Sequence, residues 1–445
     1  MMENVAQLQS YSSDLATAIA SLAGYSRSAN IQQAPSHPSP VDPEEVQRAK
    51  GSILSTVSKI KTLVCGPTDF LQHLASQSEI LACLRWLGEF QILACIPLTG
   101  SVPIKDIADL TGVPETHLRR VVRLTATAGF LHEPQPSNVA HTPLSASFVS
   151  KPSLLDAALF LPESAARASL QIAQAAQRLG PRSAYRLALP TAKPFHAARE
   201  RQPRLIRQWS AYQHHIWGLY TADDVTNILK QLNWSNISNV PDACIVEVRS
   251  ILFLCNMSVC ISPPAQVDVQ SPSTSIARCL ADLYLALHFV VQISDTACDQ
   301  EPEDFNPRIA VTRRALGTRQ TAADAAVYIL HLPLSSPNAL LPELAVHLDV
   351  LRARGSIMLT LTARLLPEPS SLPGPGPEVE AMARSRDLAL FQLTNEGEME
   401  MVELLEMIDS VRDSVGKLVV TKRLRARNNL VVALVVKYQL DVPRP

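Results

Sequence analysis

One segment of the chain combines the elements that could hold a nucleotide cofactor. The apolar β-type run Cys244–Val248 is followed by a long interruption, a helical segment at 275–286 and a second β-type run at 287–292. Nucleotide-binding domains keep their phosphate or ribose loop at such a strand, loop, helix and strand. However, no glycine occurs between Gly218 and Gly317, and a loop that a cofactor approaches closely needs residues without a Cβ. The sequence therefore predicts the frame of a cofactor domain without its phosphate-binding loop.

Length and composition exclude several classes of protein. The 445 residues are enough for two domains, and the formal net charge of −1, with only 18% charged residues, gives no long-range attraction to nucleic acid or anionic membrane. Glu3 stands where a signal peptide would be positive, and the longest apolar run, Ile251–Ile261, is too short to span a bilayer. The eight cysteines lack metal-ligand spacing. We expect an intracellular protein with neither a metal site nor a disulfide framework.

The chain divides into four predicted segments. An N-terminal helix with a Ser/Pro-rich linker occupies residues 1–43, a winged-helix domain 44–160, a helical connector 161–235 and an alternating β/α domain 236–440. In the first segment we expect a helix at 3–23 and a linker from Ser26, followed by a second helix that begins at Pro43.

The winged-helix segment contains a basic helix. The second helix of its helix-turn-helix pattern presents Arg119, Arg120 and Arg123. These arginines either recognise DNA or form the solvated face of a dimerisation domain. The near-neutral charge of the chain favours the second interpretation.

The C-terminal segment alternates strands and helices. AAVYIL (325–330) and SIMLTL (356–361) read as strands with a helix between them, and KLVVTKRL and NLVVALVVKY read as a closing β-hairpin. Alternating βα units that end in an antiparallel pair predict a largely parallel, doubly wound sheet with an antiparallel edge. The predicted fold class is therefore α/β, with an all-α winged-helix domain ahead of a Rossmann-like domain.

Two stretches resemble a known family. WLGEFQILACIPLTGSVPIKDIADLTGVPETHLRRVVRLTATAGFL, with HTPLSASFV after it, is similar to the winged-helix dimerisation domain of fungal small-molecule O-methyltransferases. The C-terminal pattern is similar to their class I, S-adenosylmethionine-dependent domain, and the resemblance covers roughly residues 45–438. It implies that the winged-helix domain pairs two subunits and does not bind DNA.

The connector is rich in aromatic residues and histidines. The resemblance implies that they line the substrate side, whereas aromatic residues at a domain junction also serve as core. His214 and His215 are adjacent on a helix and cannot both serve one metal. The set comprises Trp209, Tyr212, His214, His215, Trp217 and Tyr220.

The cofactor motifs of that family are degenerate in this chain. Glu247 matches the acid at the end of the first strand, but Asp268, Val269 and Pro272 stand where the family has its glycine loop. In the family an acid that binds the ribose hydroxyls follows FVVQ, and here Ile293 takes its place. The resemblance therefore implies that S-adenosylmethionine is not bound.

The catalytic motif is also altered. Ser335 and Ser336 align with the histidine and aspartate of HDWPD, and neither hydroxyl titrates near neutral pH. His331 is the only nearby imidazole, about one turn earlier at a strand end, and would serve as general base only in a rebuilt site. Glu398 matches the acid that orients the base in relatives, but an orienting acid without its base performs no chemistry.

The spacing after the first strand predicts an insertion. Deleting Val248–Gln266 joins Glu247 to Val267 and restores the family's distance between strand and helix. Val-Arg can be encoded by the consensus start of an intron and Gln by its consensus end. We therefore predict that these residues are a translated, in-frame intron.

Three losses at the positions that bind cofactor and move the proton favour a fold retained for binding. The chain resembles the aflatoxin-type cluster co-regulators, which are methyltransferase-like partners of a zinc-cluster transcription factor. This resemblance implies a non-catalytic, homodimeric co-activator of an aromatic polyketide gene cluster, located in the nucleus and cytoplasm. It would bind a zinc-cluster transcription factor but no cofactor, metal, membrane or DNA.

Two alternatives belong to other classes of protein. One is an S-adenosylmethionine-dependent O-methyltransferase that acts on a phenolic polyketide through a rebuilt site. The other is direct DNA binding through Arg119, Arg120 and Arg123.

Overall fold

A computed structural model describes most of the chain in two compact units. The described residues are 2–31, 43–177, 182–189, 193–217, 222–232, 234, 237, 243–249, 275–293, 306–322, 324–332, 337–353, 358–368, 377–426 and 431–441. The first unit comprises Met1–Cys83 with Gly376–Ala381, and the second comprises Leu84–Pro375 with Met382–Pro445. Predictions that fall elsewhere lie outside the described residues.

The first unit is built on a helical hairpin. Helix α1 (Met2–Ile31) packs against α2 (Pro43–Val64), and α3 (Pro67–Glu89) follows. The Lys59 ammonium lies 5.8 Å from the centroid of the Tyr11 ring. Because Tyr11 is in the first half of α1 and Lys59 near the end of α2, the two helices run antiparallel.

The sequence predicted this hairpin only in part. The helix at 3–23 and the start of α2 at Pro43 are confirmed. The predicted linker from Ser26 is wrong at its beginning, because α1 continues to Ile31. Residues 26–31 contain neither proline nor glycine, so nothing in them ends a helix.

The second unit begins with the winged-helix domain. Gly112, at φ 71°, forms the turn between its two central helices, and a small sheet of order β1-β3-β2 completes it. The helix-turn-helix and hairpin are confirmed, while the short β1 was not predicted. The elements are α4 (Ile92–Cys95), β1 (Val102–Pro103), α5 (Ile104–Thr111), α6 (Glu115–Thr127), β2 (Leu131–His132) and β3 (Asn138–His141).

Short helices form the connector, and α8 runs into α9 through a π-helical turn at Leu161–Ala165. The helices are α7 (Pro143–Ser150), α8 (Pro152–Phe160), α9 (Ala166–Ser169), α10 (Ile172–Gln177), α11 (Ala184–Ala188), α12 (Phe195–Arg201), α13 (Pro203–His215) and α14 (Ala222–Leu229).

A seven-stranded sheet forms the centre of the C-terminal domain, within the described residues. Its order is β6-β5-β4-β7-β8-β10-β9, with parallel pairs from β6 to β8 and antiparallel pairs at β8-β10 and β10-β9. This confirms the α/β class and the antiparallel edge. The strands are β4 (Cys244–Arg249), β5 (His288–Ile293), β6 (Ile309–Arg313), β7 (Val327–His331), β8 (Met358–Arg364), β9 (Gly416–Arg425) and β10 (Val431–Leu440).

Helices cover both faces of this sheet. Buried residues of α14 and α15 pack on one face, and those of α16 and α18 on the other. Two elements were not predicted: β6, an edge strand whose side chains are mostly part-exposed or exposed, and α17. The helices are α15 (Ser275–Leu283), α16 (Pro337–Ala353), α17 (Pro377–Thr394) and α18 (Met401–Ser410).

Membrane-spanning potential is limited in the part of the chain that the structure describes. No single helix there is long and apolar enough to cross a bilayer. One bent pair of helices, Pro143–Ser150 with Pro152–Gln177, has the length and apolar composition of a membrane span only when its two parts are taken together.

Candidate functional site

The sheet has a topological switch point at β4, which lies between β5 on one side and β7 on the other. Open α/β sheets bind their ligands at such a point, beside the carboxyl ends of the strands. Here the register places Arg249 of β4 opposite His331 of β7. The candidate site is therefore at the ends of these two strands.

A hydrogen bond between β4 and β7 crosses this point. His331 Nε2 lies 2.8 Å from Glu247 Oε1, and Nδ1 lies 2.6 Å from the Thr362 hydroxyl of β8. A carboxylate only accepts hydrogen bonds, so the Nε2–H donates to Glu247, and Nδ1 shares the second hydrogen bond with the Thr362 hydroxyl. The Glu247 side chain is 1% exposed and that of His331 12%.

This chain of contacts limits what His331 does. A general base needs a nitrogen lone pair that can reach the proton of an acceptor. Both ring nitrogens of His331 already contact groups of the protein, and Thr362 is fully buried. The arrangement ties three strand ends together and leaves neither nitrogen directed at a substrate.

The end of β5 is occupied by amide groups. Ile293, at the position of the family's ribose-binding acid, is half-buried against the core. The preceding Gln292 is buried and exchanges hydrogen bonds with Gln320, at 2.6 and 3.0 Å. Arg314 donates to Gln292 Oε1 from Nε at 2.8 Å. The polar atoms at this strand end are therefore bound to other protein groups.

Arg314 extends this network to α16. It forms a buried ion pair with Glu343, whose second oxygen accepts from the backbone N–H of Gly317 at 2.6 Å. His347 Nδ1 lies 2.8 Å from the Glu343 carbonyl oxygen, and burial lowers the pKa of His347. This network was not expected from the sequence, although a polar Gln292 within an apolar strand was a usable signal.

Glu398 is also engaged. Both of its oxygens accept hydrogen bonds from Arg386 of α17, and both side chains are 1% exposed. Asp387 accepts from the backbone N–H of Glu398 at 2.7 Å. Burial raises the pKa of Glu398 more than the guanidinium lowers it. The acid that orients a catalytic base in relatives thus binds an arginine that the sequence analysis did not single out.

Several predicted positions lie outside the described residues. These include the serines at the catalytic positions and the positions that replace the glycine loop. Of the predicted insertion Val248–Gln266, only Val248 and Arg249 are described, as the last residues of β4. The insertion therefore stays a prediction. The undescribed site positions are Asp268, Val269, Pro272, Ser335 and Ser336.

The basic helix α6 is largely neutralised within its own domain. Arg119 pairs with Glu115, and Arg123 donates to both oxygens of Glu133 at 3.1 and 3.3 Å. These bonds lower the pKa of Glu133. Arg120 is exposed. Two of the three arginines that suggested DNA recognition therefore already have carboxylate partners.

The aromatic residues of the connector form a packed core. Trp209, Tyr212 and Trp217 are at most 5% exposed, and the rings of Trp209 and Trp217 meet edge to face at 4.8 Å. His215 Nε2 lies 2.9 Å from the Ser153 hydroxyl. Of the two interpretations, core packing accounts for the three described aromatic rings, while Tyr220 lies outside the described residues. No group of His, Cys, Asp and Glu side chains in the described ranges could hold a metal ion.

Solved structures with this architecture are O-methyltransferases and related enzymes. OxaC has a TM-score of 0.60 at 16% identity, over 98% of this chain and 100% of its own. The mitomycin 7-O-methyltransferase MmcR has a TM-score of 0.56 at 14% identity, over 84% and 98%. The fold is thus that of a class I methyltransferase with an N-terminal helical region.

Proteins that are similar in sequence are described as transcriptional coactivators and not as methyltransferases. The transcriptional coactivator nsrH of Aspergillus novofumigatus is 63% identical over 99% of this chain and 100% of its own. The trypacidin cluster transcriptional coactivator tpcD of Aspergillus fumigatus is 41% identical over 98% and 97%. The family model described as the tpcD N-terminal domain matches residues 5–65. The chain belongs to this family of fungal cluster transcriptional coactivators.

The described residues lack one contact that S-adenosylmethionine, which the fold implies, would need. A nucleotide cofactor needs a carboxylate able to accept from its ribose hydroxyls. Ile293, at the position of that acid, has no polar atom on its side chain, and one oxygen of Glu247 already accepts from His331. No chemical step through this cofactor follows from these residues.

Proposed function

We propose that this chain is a non-catalytic coactivator of a fungal gene cluster for an aromatic polyketide. The observation that carries the proposal is the 63% identity to a transcriptional coactivator over the whole of both chains. In this proposal the chain acts in the nucleus and cytoplasm, binds a zinc-cluster transcription factor and does not itself contact DNA. The ion pairs of Arg119 and Arg123 support the last point, because they reduce the charge available to phosphates.

We expect no methyl transfer because the two acids that match functional positions of the methyltransferase family already have partners within the chain. Glu247 and Glu398 are both buried and hydrogen-bonded to basic side chains of the same chain. Releasing either acid for a ligand would leave a buried group without its partner, which is costly. This favours a fold kept for binding over an enzyme.

The proposed assembly is a homodimer. In α3 every residue from Pro67 to Glu79 is exposed, including Phe70, Leu71 and Leu74, at 61%, 65% and 51%. An isolated helix of this length is marginally stable in water. A second copy packed on this part of α3 would bury these side chains, as expected of an obligate interface.

Deleting the gene from a producing fungus tests the proposal. We expect the transcripts of all the biosynthetic genes of the cluster to fall together, because a coactivator acts on their common transcription factor. Restoring either the natural gene or a variant with Ser335→Ala and Ser336→Ala should return the transcripts to their former levels. Transcripts that are unchanged, with one unmethylated intermediate accumulating, would instead identify an enzyme.

The second candidate is an O-methyltransferase that acts on a phenolic polyketide. The observation that favours it is the fold. The structure of OxaC in complex with SAH and oxaline has the same fold, with a TM-score of 0.59 at 15% identity. It requires S-adenosylmethionine and a site rebuilt around other residues. Transfer of a labelled methyl group to an anthraquinone-like phenol by the purified chain would support it.

A further inference from the structure

The helical hairpin has an inner seam of heptad spacing. The residues between α1 and α2 recur in steps of three and four, the pattern of coiled coils. All of them are half-buried or buried. They are Leu8, Tyr11, Leu15, Ala18 and Leu22 of α1, and Val46, Ala49, Ile53, Thr56, Ile60 and Leu63 of α2.

A second set of large apolar residues lies outside this seam. Val5 and Ile19 of α1 are each 50% exposed. Leu54, Val57 and Val64 of α2 are 63%, 47% and 64% exposed. We call these five residues the outer stripe. The seam already joins the two helices, so the outer stripe has no role in holding the hairpin together.

The outer stripe lies on one face of the hairpin. At 3.6 residues per turn, the stripe residues of each helix are rotated on average about 80° from its seam, in the same sense on both helices. Because the helices run antiparallel, the same rotation brings both sets to the same side. They therefore border the groove between α1 and α2, where a third helix would pack.

The charge beside the outer stripe is positive. Lys50 and Lys61 are exposed and fall in line with the stripe residues of α2. From Val46 to Val64 the sequence has no acidic residue. Asp14 of α1 is rotated from the seam in the opposite sense to Val5 and Ile19, so it lies on the other face of the hairpin. The face that carries the outer stripe is thus apolar, with two lysines of α2 interspersed among the stripe residues.

We infer that this groove binds an acidic amphipathic helix of the partner transcription factor, an inference that rests on the proposed function. Apolar residues of the partner at spacings of three and four would cover the outer stripe, and its acids would face Lys50 and Lys61. A second copy of the hairpin would place lysines against lysines.

Binding of the purified full chain to the transcription factor encoded in the same cluster tests this inference. Leu54→Asp with Val57→Asp should weaken binding at least about tenfold, since it puts two carboxylates into the apolar contact. Lys50→Glu with Lys61→Glu should weaken it less and reduce its dependence on salt. Leu110→Asp, which changes a leucine 73% exposed in the winged-helix domain, is the matched control and should bind as the natural chain does.

Circular dichroism and light scattering on the same samples make the result decisive. The stripe variants should keep the helical content and molar mass of the natural chain. Unchanged binding by the Leu54→Asp, Val57→Asp variant overturns the inference and leaves the proposed function standing. A change of that variant to a smaller oligomer also overturns it, because the stripe would then join copies of this chain. If the natural chain does not bind the factor, both proposals fail.

Discussion

Arg386→Ala is expected to lower the free energy of unfolding by about 3–5 kcal/mol, the cost of leaving one member of a buried ion pair alone. Arg386 and Glu398 are each 1% exposed, and the guanidinium contacts both carboxylate oxygens. Removing Arg386 leaves a buried acid whose pKa burial already raises. Urea unfolding followed by circular dichroism measures the change.

The pH dependence of this loss identifies its cause. Without Arg386 the pKa of Glu398 rises further, so the folded variant holds a proton that the unfolded chain releases above about pH 4.3. The destabilisation should therefore be larger at pH 8 than at pH 5.5. Arg384→Ala is the control, since its contact with Glu400 at 3.5 Å is between part-exposed side chains, and such pairs contribute about 0–1 kcal/mol. If Arg386→Ala lowered the free energy of unfolding as little as Arg384→Ala does, the buried pair would not stabilise the fold as expected.

Ile92→Asp is expected to prevent the winged-helix domain from folding. Ile92 is fully buried among Leu87, Ile104 and Leu118, and an unpaired carboxylate there has no partner. Replacing Ile92 would therefore disrupt the domain itself and would not test dimerisation. Insoluble protein, or loss of the cooperative thermal transition, is the expected result.

The dimer is tested instead by Phe70→Asp with Leu74→Asp. Both side chains are more than half exposed, so the folded chain tolerates the change. Light scattering should show a dimer for the natural chain and a folded monomer for the variant. A natural chain that is a well-folded monomer at micromolar concentration would contradict the proposed assembly.

The sequence predicted the elements with a clear hydrophobic period. Strands β4, β7 and β9 contain short apolar runs and β10 a longer one, and each strand is confirmed. The edge strand β6 was missed because its apolar run has only three residues, Ile309–Val311, and all its residues are part-exposed or exposed. The first part of α3 was missed for a similar reason, since its apolar residues do not form a stripe buried within the chain.

The contacts of the site could not be predicted in the same way. Glu247 and His331 are 84 residues apart, and only the pairing of β4 with β7 brings them together. Arg386 belongs to a helix that the sequence analysis did not predict, so the partner of Glu398 was unknown. Local sequence patterns therefore indicated which family residues had been replaced. They did not indicate which side chains form hydrogen bonds with Glu247 and Glu398.

Calorimetric titration of the purified full chain with S-adenosylmethionine tests the central claim most directly. We expect no saturable heat, because Ile293 has no polar side-chain atom for a ribose hydroxyl and one oxygen of Glu247 already accepts from His331. A thermal unfolding curve of the same sample shows that the protein is folded. Saturable binding in the micromolar range, with transfer of the methyl group to an anthraquinone-like phenol, would contradict the account and identify an enzyme.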